Sequence, residues 1–397
     1  MLALAFSGAA AGSSGGAGMG RTAPHKRAQG GARKARSDPF AGRGMWIWEL
    51  PLSGGGNLGS IIATSHRYGI STLMIKSGDG TSVWSQFNSG IVSALHASGL
   101  RVCAWQYVYG RSPAAEAQVA AAAVSRGADC LLIDAESQYE GRYVQAQTYI
   151  TQLRRLIGGG FPVALAGFPW IDFHPAFPYS VFLGPGGAQY NVPQMYWFDI
   201  GTSVENVYSH TYKFNRLYRR EIDPLGQLSG NPPPRQIRRF RQLSLAYGAP
   251  GVSWWDWQEA SARGWSAISQ AIGWPSGFTP YSGLATLRRG AQGDFVVWAQ
   301  EHLISAGYKI RVDGAFGAQT RSAVARFQAS HGLQASGVIG SLTWQALLRY
   351  PAAHVRWTKS GARTARFSLT MPVPRSAHLP AKRYEIPRSL GAGRPPR

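Results

Sequence analysis

Cysteine is almost absent from the 397-residue chain, which has only Cys103 and Cys130. That excludes a disulfide-stapled scaffold and any multi-cysteine zinc site. Histidine is also scarce, nine in all, and none of the four in the central region (His66, His96, His174, His210) has ligand-like spacing with another His or a Cys. No metal site, zinc amidase chemistry or cofactor is therefore expected. No stretch approaches the ~20 consecutive apolar residues of a membrane helix, so no transmembrane segment is expected. Acidic residues are few, 19 against 41 Lys and Arg, for a formal net charge of +22. The imbalance is concentrated at the ends: seven basic residues against one Asp in 1–44, and ten against one Glu in 351–397. Such segments read as solvated, disordered tails, and no dedicated nucleic-acid site is expected. The opening MLALAFSGAAAGSSGGAG has a short apolar run but no basic region before it. It reads as an atypical or truncated secretion signal.

What is present is aromatic and apolar: 44% hydrophobic residues, 12% aromatics and 14 Trp, with Gly and Pro in excess at 49 and 24. Composition changes abruptly at Met45-Trp46-Ile47-Trp48. From there, β-rich runs at 45–50, 71–77, 101–107, 129–136, 162–168, 192–197, 222–228 and 251–257 alternate with helical patterns. The crossover at 172–184 is Pro/Gly-rich and reads as irregular. Eight strands with intervening helices predict an α/β fold, a (β/α)8 TIM-type barrel over 45–274. A doubly wound open sheet is the alternative, although Gly54-Gly55-Gly56 does not follow the G-x-G-x-x-G phosphate fingerprint. Residues 275–285 read as a linker, and 286–350 as a small all-α domain of three helices near Asp294, 318–330 and Ser341. The basic tail follows from 351. Cys103 and Cys130 fall on adjacent strands of this barrel. Buried free thiols are the plain reading, and an oxidised pair after export is the other.

The small domain carries a dense set of landmarks: Gly290, Gly293, Gly307-Tyr308, Asp313-Gly314-x-Phe316-Gly317, Thr320, Phe327-Gln328 and Thr343-Trp344. This spacing resembles the peptidoglycan-binding-like domain, a cell-wall module appended to many hydrolases. The resemblance implies that Asp313, Gly314, Phe316, Gly317, Thr320, Phe327 and Trp344 define a wall-binding unit. Most of these positions shape the fold rather than touch ligand.

In a barrel of this type the chemistry sits at the C-terminal strand ends. The fourth predicted strand ends Leu131-Leu132-Ile133-Asp134-Ala135-Glu136, and strand alternation puts Asp134 and Glu136 on one face. Two carboxylates with apolar residues leading into them suit glycosidic cleavage, with one protonated and one ionised. An acidic pair bonding to loop backbone or to Lys76 is the bland alternative. Other strand ends supply stacking faces and amides: Trp46, Trp48, Lys76, Trp105, Tyr107, Gln194, Tyr196, Trp197, Trp255 and Trp257. Asp-x-Glu on the fourth strand, with an eighth strand reading Trp-x-Trp-Gln, resembles the family 25 muramidases. Pro-Gln-Met-Tyr on the sixth is similar to the family 18 chitinases. The chitinase motif's earlier Asp falls on Leu132, and the muramidases' first-strand Asp has no counterpart in Trp46-Ile47-Trp48-Glu49. These resemblances imply Glu136 as general acid, Asp134 as the stabilising carboxylate and Tyr196 as a hydrogen-bonding partner. The expectation is an extracellular or wall-associated glycosidase-like monomer acting on peptidoglycan or another wall polysaccharide. The alternative is a non-catalytic wall-binding protein with a degenerate barrel.

Overall fold

The computed structural model describes residues 38–358. The disorder expected of the tails over 1–37 and 359–397 lies outside those residues. Eight parallel strands follow in order: β1 (Gly42–Ile47), β2 (Thr72–Asp79), β3 (Arg101–Val108), β4 (Cys130–Ala135), β5 (Val163–Ala166), β6 (Tyr190–Asn191), β7 and β8 (Gly251–Trp255). The seventh strand comes in two pieces, Glu221–Ile222 and Leu225–Gln227, because Pro224 between them has no N–H for the ladder. Its first piece pairs with β6 and its second with β8, while β8 also pairs with β1. The sheet therefore returns on itself as a (β/α)8 barrel, which excludes the open-sheet alternative.

Helices α1 (Leu58–Arg67), α2 (Ser89–Ala97), α3 (Pro113–Ser125), α4 (Tyr143–Ile157), α5 (Val204–Asn215), α6 (Pro234–Ala246) and α7 (Ala262–Ser269) surround the sheet. Several are started by side chains that satisfy orphan N–H groups, as Asn57 does for Ser60, Asn88 for Ile91 and Ser203 for Asn206. The fifth crossover has only short turns, Ile171–Phe173 and Tyr179–Phe182. The period of two divides β4 cleanly. Leu131, Ile133 and Ala135 pack outward in the main core, while Cys130 and Leu132 join Trp46, Met74 and Trp105 inside the barrel. Each fully buried Leu or Ile contributes about 1.5–3 kcal/mol. Cys103 and Cys130 face each other across β3 and β4 and form a disulfide, so the free-thiol reading is corrected.

Two boundaries also move. The first strand opens at Gly42 rather than Met45, and Phe40 is buried against Tyr190. At the other end the expected tail is ordered through its first residues. Trp357 packs on Tyr143, and Gln147 bonds both the Val355 carbonyl and the Trp357 N–H.

The C-terminal unit comprises α8 (Asp294–Ser305), α9 (Ala318–Ser330) and α10 (Ser341–Leu347). Asp294 is the first residue of α8. Its buried carboxylate accepts from the barrel: Tyr143 Oη at 3.0 Å, Tyr218 Oη at 2.6 Å, and Ser180 through both N (2.8 Å) and Oγ (2.7 Å). Trp298 Nε1 donates to the Leu217 carbonyl at 2.7 Å. The two units are thus joined by a packed seam.

Candidate active site

Asp134 is the last inward-facing residue within β4, and Glu136 follows in extended backbone (φ −129°), which keeps the alternation going. Both are buried. Gln194, three residues past the end of the short strand β6, donates from one Nε2 to Asp134 Oδ1 at 3.0 Å and Glu136 Oε1 at 3.1 Å. The Gln194 backbone is itself fixed by Gly167, whose carbonyl accepts its N–H. An amide nitrogen has two hydrogens, so one side chain orients both acids.

Burial dominates the electrostatics here. It raises Glu136 to about 7, against opposing hydrogen bonds from Gln194 and Tyr107. Asp134 is raised well above its ordinary value by burial first and then by the Glu136 charge, with Lys76 pulling the other way. The sequence reading assigned the proton to Glu136 and the charge to Asp134. In the free site both acids are pushed toward the protonated form and compete for it. Tyr196 is likewise raised by burial and by the neighbouring Asp134 and Glu136 charges, so its hydroxyl remains a donor.

The other sequence candidates lie at different depths around the acids. Tyr107 stands beside the acids, its hydroxyl donating to Gln138 Oε1 at 2.7 Å. Trp46 and Trp105 lie deeper, fully buried, with indole N–H groups on Ser253 Oγ and the Ile47 carbonyl; they form the floor rather than an accessible platform. Trp48 and Trp255 are half-buried against this cluster, and Trp255 meets Trp46 and Trp105 edge-on. Lys76 is buried, with its ammonium 4.3 Å from the Trp84 ring centre, 5.0 Å from that of Trp105 and 2.6 Å from Asp79 Oδ2.

Two candidates are not part of this group. Trp197 begins a helical turn, stacks on Phe240 and donates to Gln236, facing the helices. Trp257 packs edge-on against Trp265 in the outer core. Three residues went unassigned in the sequence. Asp79 bridges Lys76 and the Tyr109 hydroxyl. Tyr109 sits where the Glu116 carboxylate gathers the N–H groups of Tyr109, Gly110, Arg111 and Ser112. Asp256, directly after β8, is buried and raised to about 7 by that burial.

In the small domain the predicted wall-binding residues build the fold. Gln300 accepts from the Asp313 and Gly314 N–H groups and donates to Asp313 Oδ1, the Ala315 carbonyl and Thr320 Oγ1. Gly314 has φ +69°, a conformation that favours glycine in this turn. Phe316, Phe327 and Trp344 are buried in the core, and Trp344 Nε1 donates to the Ala285 carbonyl. Gly317 precedes α9.

Residues 292–347 match the peptidoglycan binding domain family. The chain therefore joins a barrel bearing a buried carboxylate pair to a peptidoglycan-binding domain. The Burkholderia AP3 phage endolysin is 46% identical over 16% of this chain and 24% of its own, with a TM-score of 0.16; this chain thus spans about a quarter of that protein. The catalytic domain of a Pyrococcus furiosus chitinase is 11% identical over 58% of this chain and 93% of its own (TM-score 0.45). The Bacillus cereus spore cortex-lytic enzyme SleL is 10% identical over 59% and 75% (TM-score 0.45). No curated protein matches the chain.

Proposed function

We propose that this protein is a wall-associated glycosidase that cleaves a polysaccharide such as peptidoglycan, with Glu136 as its acid. The observation that carries this reading is the sharing of one amide donor by Asp134 and Glu136 at the end of β4. A sugar chain lying against Trp48 and Trp255 brings a glycosidic oxygen to Glu136. With its pKa near 7, about half of Glu136 is protonated at neutral pH, and that form gives its proton to the departing oxygen. The ionised form of Asp134, which Lys76 supports, stabilises the positive charge that grows on the sugar; water then adds from the side the leaving group vacated and returns a proton to Glu136. Tyr196 donates a hydrogen bond in the same pocket.

Because the two acceptor oxygens lie 3.0 and 3.1 Å from a single nitrogen, they are at most about 6 Å apart. An inverting pair keeps ~6.5–9.5 Å to admit a water, so the expected outcome is retention of anomeric configuration. The test is sugar release from purified peptidoglycan and from chitooligosaccharides by the wild type, Glu136→Gln and Asp134→Asn. Turnover should fall by about 10²-fold or more in Glu136→Gln while glycan binding persists. If the wild type binds glycan and releases no sugar from either substrate, the chain is instead a binding protein built on this barrel.

A further inference from the structure

The rim of the barrel mouth carries an exposed aromatic ring. Among the described residues, three large aromatics are well exposed: Phe198 (42%), Trp274 (67%) and Tyr281 (42%). Trp274 and Tyr281 lie in the stretch between α7 and α8. Phe198 instead follows β6 at the C-terminal end of the barrel, two residues after Tyr196, and so shares the mouth with Asp134 and Glu136. Leaving such a ring in water forgoes part of the ~1.5–3 kcal/mol that full burial of a Phe supplies.

The ring is nevertheless held in place. Gln227, fully buried at the end of β7, accepts through one Oε1 from the Phe198 N–H at 2.9 Å and the Asp199 N–H at 3.1 Å. Its Nε2 donates to the Ser229 carbonyl at 3.1 Å, which ties the loop after β6 to the loop after β7. A Cβ at Gly230 would stand 3.5 Å from Phe198 Cδ1, so this second loop backs one side of the ring. The next residue, Asn231, accepts at Oδ1 from Ser261 Oγ at 2.8 Å, which leaves its amide hydrogens for another partner. A fixed aromatic face with an amide donor in the adjoining loop suits a sugar ring, whose C–H face stacks while its hydroxyls accept.

Strand order places Phe198 relative to the acids. Going round the barrel, β2 and β6 each lie two strands from β4, about 10 Å at ~4.8 Å per strand. Trp48 and Trp255, at the ends of β1 and β8, stand across the mouth from β4. A sugar held between them and Glu136 therefore has its chain neighbours directed toward β2 and β6. On the β2 side lies Trp84, under the Lys76 ammonium; on the β6 side lies Phe198.

We propose that Phe198 is a specificity-determining residue of this site, a stacking platform for a glycan unit beyond the one at Glu136. The site thereby selects long chains over short ones. The proposal rests on the reading of Asp134 and Glu136 as the centre of a glycan cleft.

The test is calorimetric titration of the full chain with chitohexaose and chitobiose, in a Glu136→Gln background so that binding is read without turnover. This parent should bind chitohexaose saturably and more tightly than chitobiose. Adding Phe198→Ala should weaken chitohexaose about tenfold and chitobiose by less than about twofold, while Phe198→Trp should retain the chitohexaose affinity. With Glu136 intact, Phe198→Ala should raise KM for long glycans more than it lowers kcat. Absence of chitohexaose binding, an unchanged chitohexaose affinity in Phe198→Ala, or an equal loss on both lengths would each overturn the proposal. So would a loss in Phe198→Trp as large as that in Phe198→Ala. Length-selective binding that depends on Phe198, with no sugar released by the wild type from chitohexaose or peptidoglycan, would remove the glycosidase proposal and leave this one standing.

Discussion

Gln194 fixes how Asp134 and Glu136 compete for a proton, because its hydrogen bonds favour both anions. Removing that donor in Gln194→Ala should raise the pKa of Glu136 further. The alkaline limb of the rate profile should then move to higher pH while the maximal rate falls. A limb that stays in place would show that another group sets it. Asp134, Glu136, Gln194 and Tyr196 were all legible in the sequence, because strand alternation and strand-end position assigned them to one pocket. Trp197 was misassigned for a definite reason. The alternation that turns Gln194 and Tyr196 inward turns Trp197 outward, and the helical turn it begins stacks it on Phe240. Asp79 and Tyr109 were missed because β2 runs two residues past its expected end, and β3 carries the chain past Tyr107.

At the level of elements, the strands were readable from apolar runs, and their order followed from the alternation with helices. The seventh was hardest because Pro224 splits it. The disulfide was not readable, since adjacent strands permit the bond without requiring it. It closes a separation of 27 residues between β3 and β4, which carries the acids. Chain-entropy reasoning gives such a link about 3–4 kcal/mol. The double change Cys103→Ala and Cys130→Ala should lower unfolding free energy by roughly that amount in denaturant titration. A loss below about 1 kcal/mol would mean that strand packing alone holds the two strands together.

At the scale of the whole molecule, six buried carboxylates among the described residues are shifted in one direction. Asp134, Glu136, Asp223, Asp256, Asp294 and Glu301 are all raised, with burial as the first cause in each. Glu136 and Asp256 reach about 7, and Asp294, at the seam, about 6. A carboxyl whose folded pKa exceeds its unfolded value favours the folded state below the unfolded pKa and loses that contribution as pH rises through the folded one. Thermal stability should therefore fall between about pH 5 and pH 8. A melting temperature that rises over this range would mean that the buried acids are ionised and paired. The seam itself could not be foreseen, because the partners of Asp294 are 76 to 151 residues away in the chain.

The role of Glu136 as proton donor is tested by leaving-group dependence. Glu136→Gln and wild type should be compared on the natural wall polymer and on an aryl glycoside of the same sugar. An aryl oxide departs with little help from an acid. The substitution should cost far less on the aryl glycoside than on the polymer, with glycan affinity nearly unchanged. Equal loss on both substrates would contradict it.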